Sequence, residues 1–345
     1  VIDIIDSKLG YKQYNSFGLR RNGGRQSELE YARVVAERFG TEHHELMISE
    51  KDMVDQLSKL IRFRDAPVSG PSDIPIYLLS VETRRSVKMV LTGEGGDEIL
   101  AGYPKHVIEP YVGAYQKIIP ATVHNRLIEP LMNALPYRFN RAKTAIRNLG
   151  LRNAEERLPS WFGALSPNER DKLTTLRPAH LPTAQSGMQF DTVPANSALR
   201  RVLCFDQTSW LPDNLLERGD RMTMAASLEA RMLFLDHQLC AFVSALPDHY
   251  RLRGRQTKRL LREAMAKLLP RRILERSKVG FKVPVNEWFR GTMRDYVREH
   301  LLSTESRTRD YYRHDRLGKL WDEHIRGRHN HEKLLWSLLN LEVWL

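Results

Sequence analysis

The chain has 345 residues, 41% of them hydrophobic, and a formal net charge of +12 from 54 Lys and Arg against 42 Asp and Glu. This balance excludes a fibrous or disordered chain, and two cysteines, Cys204 and Cys240, are too few for a disulfide framework. No apolar run approaches the roughly 18–20 residues of a bilayer span, and Val1–Leu9 is too short and too acidic for a signal peptide, so a soluble cytoplasmic protein is expected.

Residues 1–5 can form a strand. The first strong helix signal is Glu28–Phe39, where Ser27 and Glu30 have the spacing of a capping box. Leu29, Ala32, Ala36 and Phe39 form one apolar face, and Gly40 supplies the stop. A strand is expected over Glu42–Ile48 and a helix over Lys51–Phe63. Ser72 is placed to cap a further helix reaching about Arg85, with Pro75 in its first turn. Lys88–Leu91, with β-branched Val90, reads as a short central strand running into Thr92-Gly93-Glu94-Gly95-Gly96-Asp97-Glu98. Helix–strand–helix–strand–glycine turn is the order of a parallel sheet covered by helices, and such sheets bind ligands beyond the C-terminal ends of their strands. Proline-broken helices follow over 111–175, a linker over 176–197, and helices from Ala198 onward. The coarse map is an α/β part at 1–110 and a mostly helical part at 111–345, the two sharing one site.

Gly93, Gly95 and Gly96 let the backbone approach a ligand and present N–H groups to an anion. Glu94 and Asp97 add carboxylates, which suits a metal ion between carboxylate and phosphate, or proton transfer by one acid. A tight turn with exposed acids is the bland alternative. Residues 251–278 hold eleven Lys and Arg against Glu263 and Glu275 alone. Most of these cations suit a solvated face. Thr257 can cap a helix bearing Leu260, Leu261, Ala264 and Leu268 on its inner side, which puts Lys258 in the first turn. A cation there is unfavourable unless an anion is near, and a phosphate meets that need. Lys278-Val279-Gly280-Phe281 offers another lysine in a structured loop. Asp220-Arg221-Met222 and Glu229-Ala230-Arg231 read as ion pairs at the two ends of a helix.

Taken in order, several segments resemble the C-terminal synthetase domain of glutamine-hydrolysing asparagine synthetases. They include Tyr31-Ala32-Arg33, Phe39 through Glu45, Pro71 through Ser80, Thr92 through Glu98 with Ala101-Gly102-Tyr103, and Asp220-Arg221-Met222. Ser227 through Arg231, Phe234 through His237, Thr257-Lys258, Leu261 through Ala264, and Lys278 through Phe281 with Pro284 and Trp288 continue the series. The resemblance covers roughly residues 28–300. It implies a parallel sheet of the adenine nucleotide alpha hydrolase-like (ATP pyrophosphatase) type flanked by helices, with a mostly helical C-terminal part. It also implies an AMP-forming carbon–nitrogen ligase that uses ATP and Mg2+. A carboxylate, that of aspartate in asparagine synthetases, is activated as an acyl-adenylate and attacked by ammonia from a glutaminase domain or partner. By position, Glu94 and Lys258 would be catalytic. Gly93, Gly95, Gly96, Asp97 and Lys278 would bind nucleotide, and Asp97 would hold the metal.

The sequence departs from the family at identifiable places. It contains no Ser-Gly-Gly-x-Asp-Ser pyrophosphate loop; Gly23-Gly24 lies immediately before a helix that normally comes later. Phe17-Gly18 resembles a remnant of the family's second strand. The glutaminase domain and its cysteine nucleophile are absent from the sequence. Arg64-Asp65-Ala66-Pro67 keeps one acid where the family has an acidic pair. Amidation of another carboxylate (a sugar, peptide or lactam precursor) and a catalytically inactive scaffold therefore stay open, as does an oligomeric assembly. Nucleic acid and membrane are not expected as partners.

Overall fold

The computed structural model describes residues 2–6, 13–21, 28–67, 70–135, 139–165, 167–175, 197–276 and 283–345. The capping serine Ser27, the linker at 176–196 and the Lys278 segment lie outside the described residues. By contacts the chain forms two units, one of Val1–Asp65, Ser69–Tyr103 and Asp206–Val283, the other of Ala66–Val68, Pro104–Phe205 and Pro284–Leu345.

The first unit holds a five-stranded sheet in the order β3-β2-β1-β4-β5, with β1 at Ile2–Asp6, β2 at Gln13–Arg21, β3 at Glu42–Ile48, β4 at Met89–Thr92 and β5 at Glu229–Met232. β2 pairs parallel with β3 and β4 with β5, but β1 runs antiparallel to both of its neighbours. The sheet expected to be parallel is therefore mixed. Only residues 7–12 separate β1 from β2, and a parallel return needs a crossover of a dozen or more residues. β5 is a further correction: Glu229-Ala230-Arg231 belongs to a strand registered on Met89–Leu91 and does not end a helix.

Helices α1 (Glu28–Phe39), α2 (Glu50–Arg64) and α3 (Asp73–Arg84) belong to this unit. Leu29, Ala32 and Ala36 of α1 are buried, whereas Phe39 is 48% exposed. Gly40, at φ +62°, turns the chain out of the helix, with Thr41 N–H donating to Ala36 O and Gly40 N–H to Glu37 O. Phe39 is thus the last helical residue and leaves the buried face. α2 begins with a capping box between Ser49 and Asp52 and ends where Asp65 turns left-handed at φ 55°, so it exceeds the expected helix by one residue at each end. Ser72 precedes α3 but makes no side-chain cap, because its own backbone is already helical. Leu79 and Val87 pack with Val90 and Leu228, adjoined by Leu46 and Ala230, and this core fixes β4 and the turn it feeds.

The second unit is helical among its described residues. It includes Pro104–Ile118, Asn140–Gly150, Ala198–Phe205, Val285–Arg290, His314–Ile325 and Glu332–Trp344. Pro120 caps one short helix and Pro130 opens another, where a missing N–H costs little. Trp336 and Phe289 are fully buried and stacked, with ring centroids 6.2 Å apart. No helix among the described residues is long and apolar enough to cross a membrane.

Near the C-terminus, buried Glu342 accepts hydrogen bonds from Ser306 Oγ (2.9 Å), Arg307 N (2.8 Å), Thr308 N (2.9 Å) and Thr308 Oγ1 (2.8 Å). Burial alone would raise its pKa, but these bonds outweigh burial and hold the carboxyl below its ordinary value. Charge-assisted bonds of this kind contribute roughly 1.5–3 kcal/mol each way when broken, so Glu342→Gln is expected to lower stability by about 2 kcal/mol. A depressed carboxylate stabilises above its unfolded pKa and loses that contribution as pH falls through its folded one. Urea titrations should therefore show the wild-type advantage shrinking in acid.

Candidate active site

β4 ends at Thr92, and the chain turns through Gly93, Glu94 and Gly95 into the short helix α4, Gly96–Ile99. Gly95 sits at φ +87°, in the left-handed region, and a Cβ there would lie 2.2 Å from Leu235 Cδ2. Only glycine combines that backbone with that neighbour. α4 is closed by Ala101, also left-handed at φ 59°, with Gly102 N–H donating to Asp97 O at 2.8 Å.

Lys258 approaches from a distant part of the same unit. It occupies the N-cap of the helix Arg259–Ala264 with φ 50° and ψ 37°, not the first turn, and Thr257 does not cap that helix. Its backbone N–H donates to Leu100 O at 3.2 Å, so the end of α4 dictates where this helix starts. The helix stops at Ala264, and Leu268, expected on its inner side, is 49% exposed. Lys258 Nζ lies 2.9 Å from Asp97 Oδ1, with both side chains largely covered. The anion demanded by a lysine at a helix start is thus partly supplied by the protein.

Gly102 forms the floor of this pair. A Cβ there would sit 1.8 Å from Asp97 Oδ1 and 2.5 Å from Lys258 Cε. Gly102→Ala must displace one partner, and the variant is expected to bind nucleotide at least about tenfold more weakly, a loss of some 1.4 kcal/mol. A fluorescent ATP analogue titrated against both proteins measures this.

A cavity of about 390 Å³ opens beside the pair. Asp97, Gly102, Lys258 and Arg262 line one part, and Phe234, Leu261, Met265 and Ile273 line another. Other cations of the 251–278 run have local partners: Arg251 pairs with Asp248, Arg259 with Glu263, and Arg271 with Glu275. Arg276 lies over the Tyr31 ring.

Glu94 is on the other side of the turn and does not line that cavity. It is half-buried against the helix Glu217–Met224, where a Cβ on Gly219 would approach its Oε2 to 2.9 Å. Burial raises its pKa, the nearby Arg218 charge opposes the shift, and Glu98 adds to it. Glu98 itself is fully buried, accepts from Tyr103 Oη, and is also raised, burial being the main cause.

The structure brings Asp97 and Lys258 into contact and puts Gly93, Gly95 and Gly96 in the turn between β4 and Asp97. Glu94 is on the same turn but faces a different wall, and Lys278 lies outside the described residues. Cys204 and Cys240 form no disulfide and are half-buried. Gly102, Gly219 and Arg218 were not singled out as site residues. Gly102 lay within a recognised segment, but nothing local in the sequence distinguishes Arg218-Gly219. Among the described residues no group of three His, Cys, Asp or Glu could hold a metal by itself. Asp97 fits a magnesium ion whose remaining ligands are phosphate and water, the usual pattern for that ion.

The chain is similar to known asparagine synthetases. Asparagine synthetase [glutamine-hydrolyzing] 1 of Bacillus subtilis (strain 168) is 27% identical over 322 residues, covering 92% of this chain and 50% of that protein. Asparagine synthetase [glutamine-hydrolyzing] 3 of the same organism is 30% identical over 251 residues, 71% of this chain and 34% of that protein. Asparagine synthetase [glutamine-hydrolyzing] 2 of Arabidopsis thaliana is 37% identical over 79 residues, 22% of this chain and 14% of its own length. The chain spans half or less of the length of these relatives. The family model described as Asparagine synthase matches residues 10–345, nearly the whole chain, and the chain belongs to that family.

Proposed function

We propose that this chain forms an amide by activating a carboxylate with ATP, releasing AMP and pyrophosphate, with aspartate as the carboxylate and asparagine as the product. Its 1–110 part is then the nucleotide-binding core of an ATP pyrophosphatase-type domain, completed by β5 and Lys258 from the 111–345 part. The observation that carries the reading is the 2.9 Å contact between Lys258 and Asp97 beside a glycine turn whose backbone can meet phosphate oxygens. Lys258 neutralises charge that builds on the α-phosphate and pyrophosphate as the bond between them breaks. Asp97 holds magnesium, which when bound supplies further neutralisation of the phosphates. The carboxylate oxygen attacks the α-phosphorus, and ammonia then attacks the acyl carbon. Glu94 takes the proton that the attacking amine must lose, and AMP departs with the acyl oxygen. Ammonia is supplied by a glutaminase domain or partner.

The test is ATP–pyrophosphate exchange by the purified chain with aspartate and with a panel of other carboxylic acids. Exchange dependent on the acid supports the reading; no exchange with any acid rejects it. A synthetase-like scaffold without catalysis is the competing reading. Failure to bind ATP at all would select it.

A pH profile follows from Glu94. A proton acceptor must be ionised, and burial has moved this carboxyl's pKa upward. Amide formation should therefore rise with pH along a limb displaced above the ordinary carboxylate range near 4.3. The limb should disappear in Glu94→Gln, along with most of the amide yield. Adenylation, read by exchange, should survive that substitution better than amide formation does.

A further inference from the structure

The cavity beside Asp97 and Lys258 has walls that phosphate and magnesium do not use. Phe234, Leu261, Met265, Leu269, Ile273 and Leu274 all line it, and all are apolar. Its volume of about 390 Å³ falls in the roughly 300–1,000 Å³ range of small-molecule pockets. Phe234 and Leu261 also pack against the buried cluster of Ile99, Leu100 and Val243. That wall is held by a core and is formed before any ligand arrives.

The charged side chains of the lining are unequally answered. Asp97 and Lys258 pair with each other, and Arg276 lies over the Tyr31 ring. Arg262 is half-buried one helical turn beyond Lys258, its backbone N–H donating to Lys258 O at 2.9 Å. Its Nε is spent on Thr257 O, and no acid pairs with its guanidinium among the described residues. A guanidinium has five N–H donors in a planar fork, so its Nη groups are left to meet a carboxylate. An apolar chamber with one unanswered cation suits a ligand that is apolar along its body and carries a single negative charge at one end.

We infer that this cavity binds an amphiphilic monoanion, an aliphatic chain ending in a carboxylate, with the chain against the apolar walls and the carboxylate on Arg262. Lys258 stands one turn away, so the bound ligand weakens the binding of nucleotide phosphates. That consequence rests on the ATP reading above; binding of the amphiphile does not.

The experiment titrates the whole chain by calorimetry with octanoate, with octanol (the same chain without the charge) and with acetate (the same charge without the chain). Octanoate should bind at least about tenfold more tightly than either. Saturating octanoate should weaken the binding of a fluorescent ATP analogue by at least about fivefold. Arg262→Gln should bring octanoate down to the affinity of octanol. Met265→Trp, which fills the chamber, should abolish octanoate binding and leave the nucleotide titration in place. Wild-type protein that binds octanoate no better than octanol or acetate overturns the inference, whatever the fate of the variants' folding. So does displacement of octanoate by adenosine, which would make the chamber a nucleoside pocket, and so does nucleotide binding that octanoate leaves unmoved. Octanoate bound with the stated preference by a chain that binds no ATP keeps the site and removes the amide-forming reading.

Discussion

Lys258→Met is expected to reduce ATP–pyrophosphate exchange by about 100- to 1,000-fold, the usual cost of deleting one preorganised charge-stabilising donor. No neighbour can replace it. Arg262, which lines the same cavity, donates its Nε to Thr257 O at 2.9 Å and is oriented by that bond. Lys258→Arg should recover little activity, because Gly102 leaves no room beneath the side chain: a methyl there would already stand 2.5 Å from Lys258 Cε. Lys258→Gly separates chemistry from folding. The left-handed backbone at φ 50° costs a non-glycine residue about 1–2 kcal/mol, and glycine removes that cost. The glycine variant should thus be as stable as the parent, measured by urea denaturation, and as inactive as Lys258→Met. Near-wild-type exchange in either neutral variant would exclude Lys258 from the reaction.

The parts of this site that could be read from the sequence are those whose signal is local. α1, β3 and the segment at Met89–Thr92 follow from apolar periodicity and from a glycine stop at Gly40. The turn at Gly93–Asp97 is visible because three glycines flank two acids within one stretch. β5 was missed because its four residues alternate charged and apolar in a way that also suits local ion pairing, and its partner β4 is far away in sequence. The start of the helix at Arg259 was misplaced for a related reason. A backbone bond from Lys258 to Leu100, invisible to any propensity, decides it. The pairing of Lys258 with Asp97 was legible only through family resemblance. The two units also interleave along the chain, which returns to the first at Asp206, and composition holds no trace of that return.

Arg64→Met should be the most destabilising single substitution in the first unit, by about 3–5 kcal/mol, because it removes the cation from a buried charge cluster. Arg64 closes α2, and its guanidinium donates to Asp73 at the start of α3 and to Glu217. Arg64 and Asp73 are almost completely buried. The N-terminal end of α3 favours a negative charge at Asp73 but cannot replace a guanidinium in contact with it. The cost comes chiefly from the stranded carboxylates, so Arg64→Met combined with Asp73→Asn should recover a large part of it. A double-mutant cycle in urea measures that coupling, and a single-variant loss below about 1 kcal/mol would mean the cluster is screened like a surface pair.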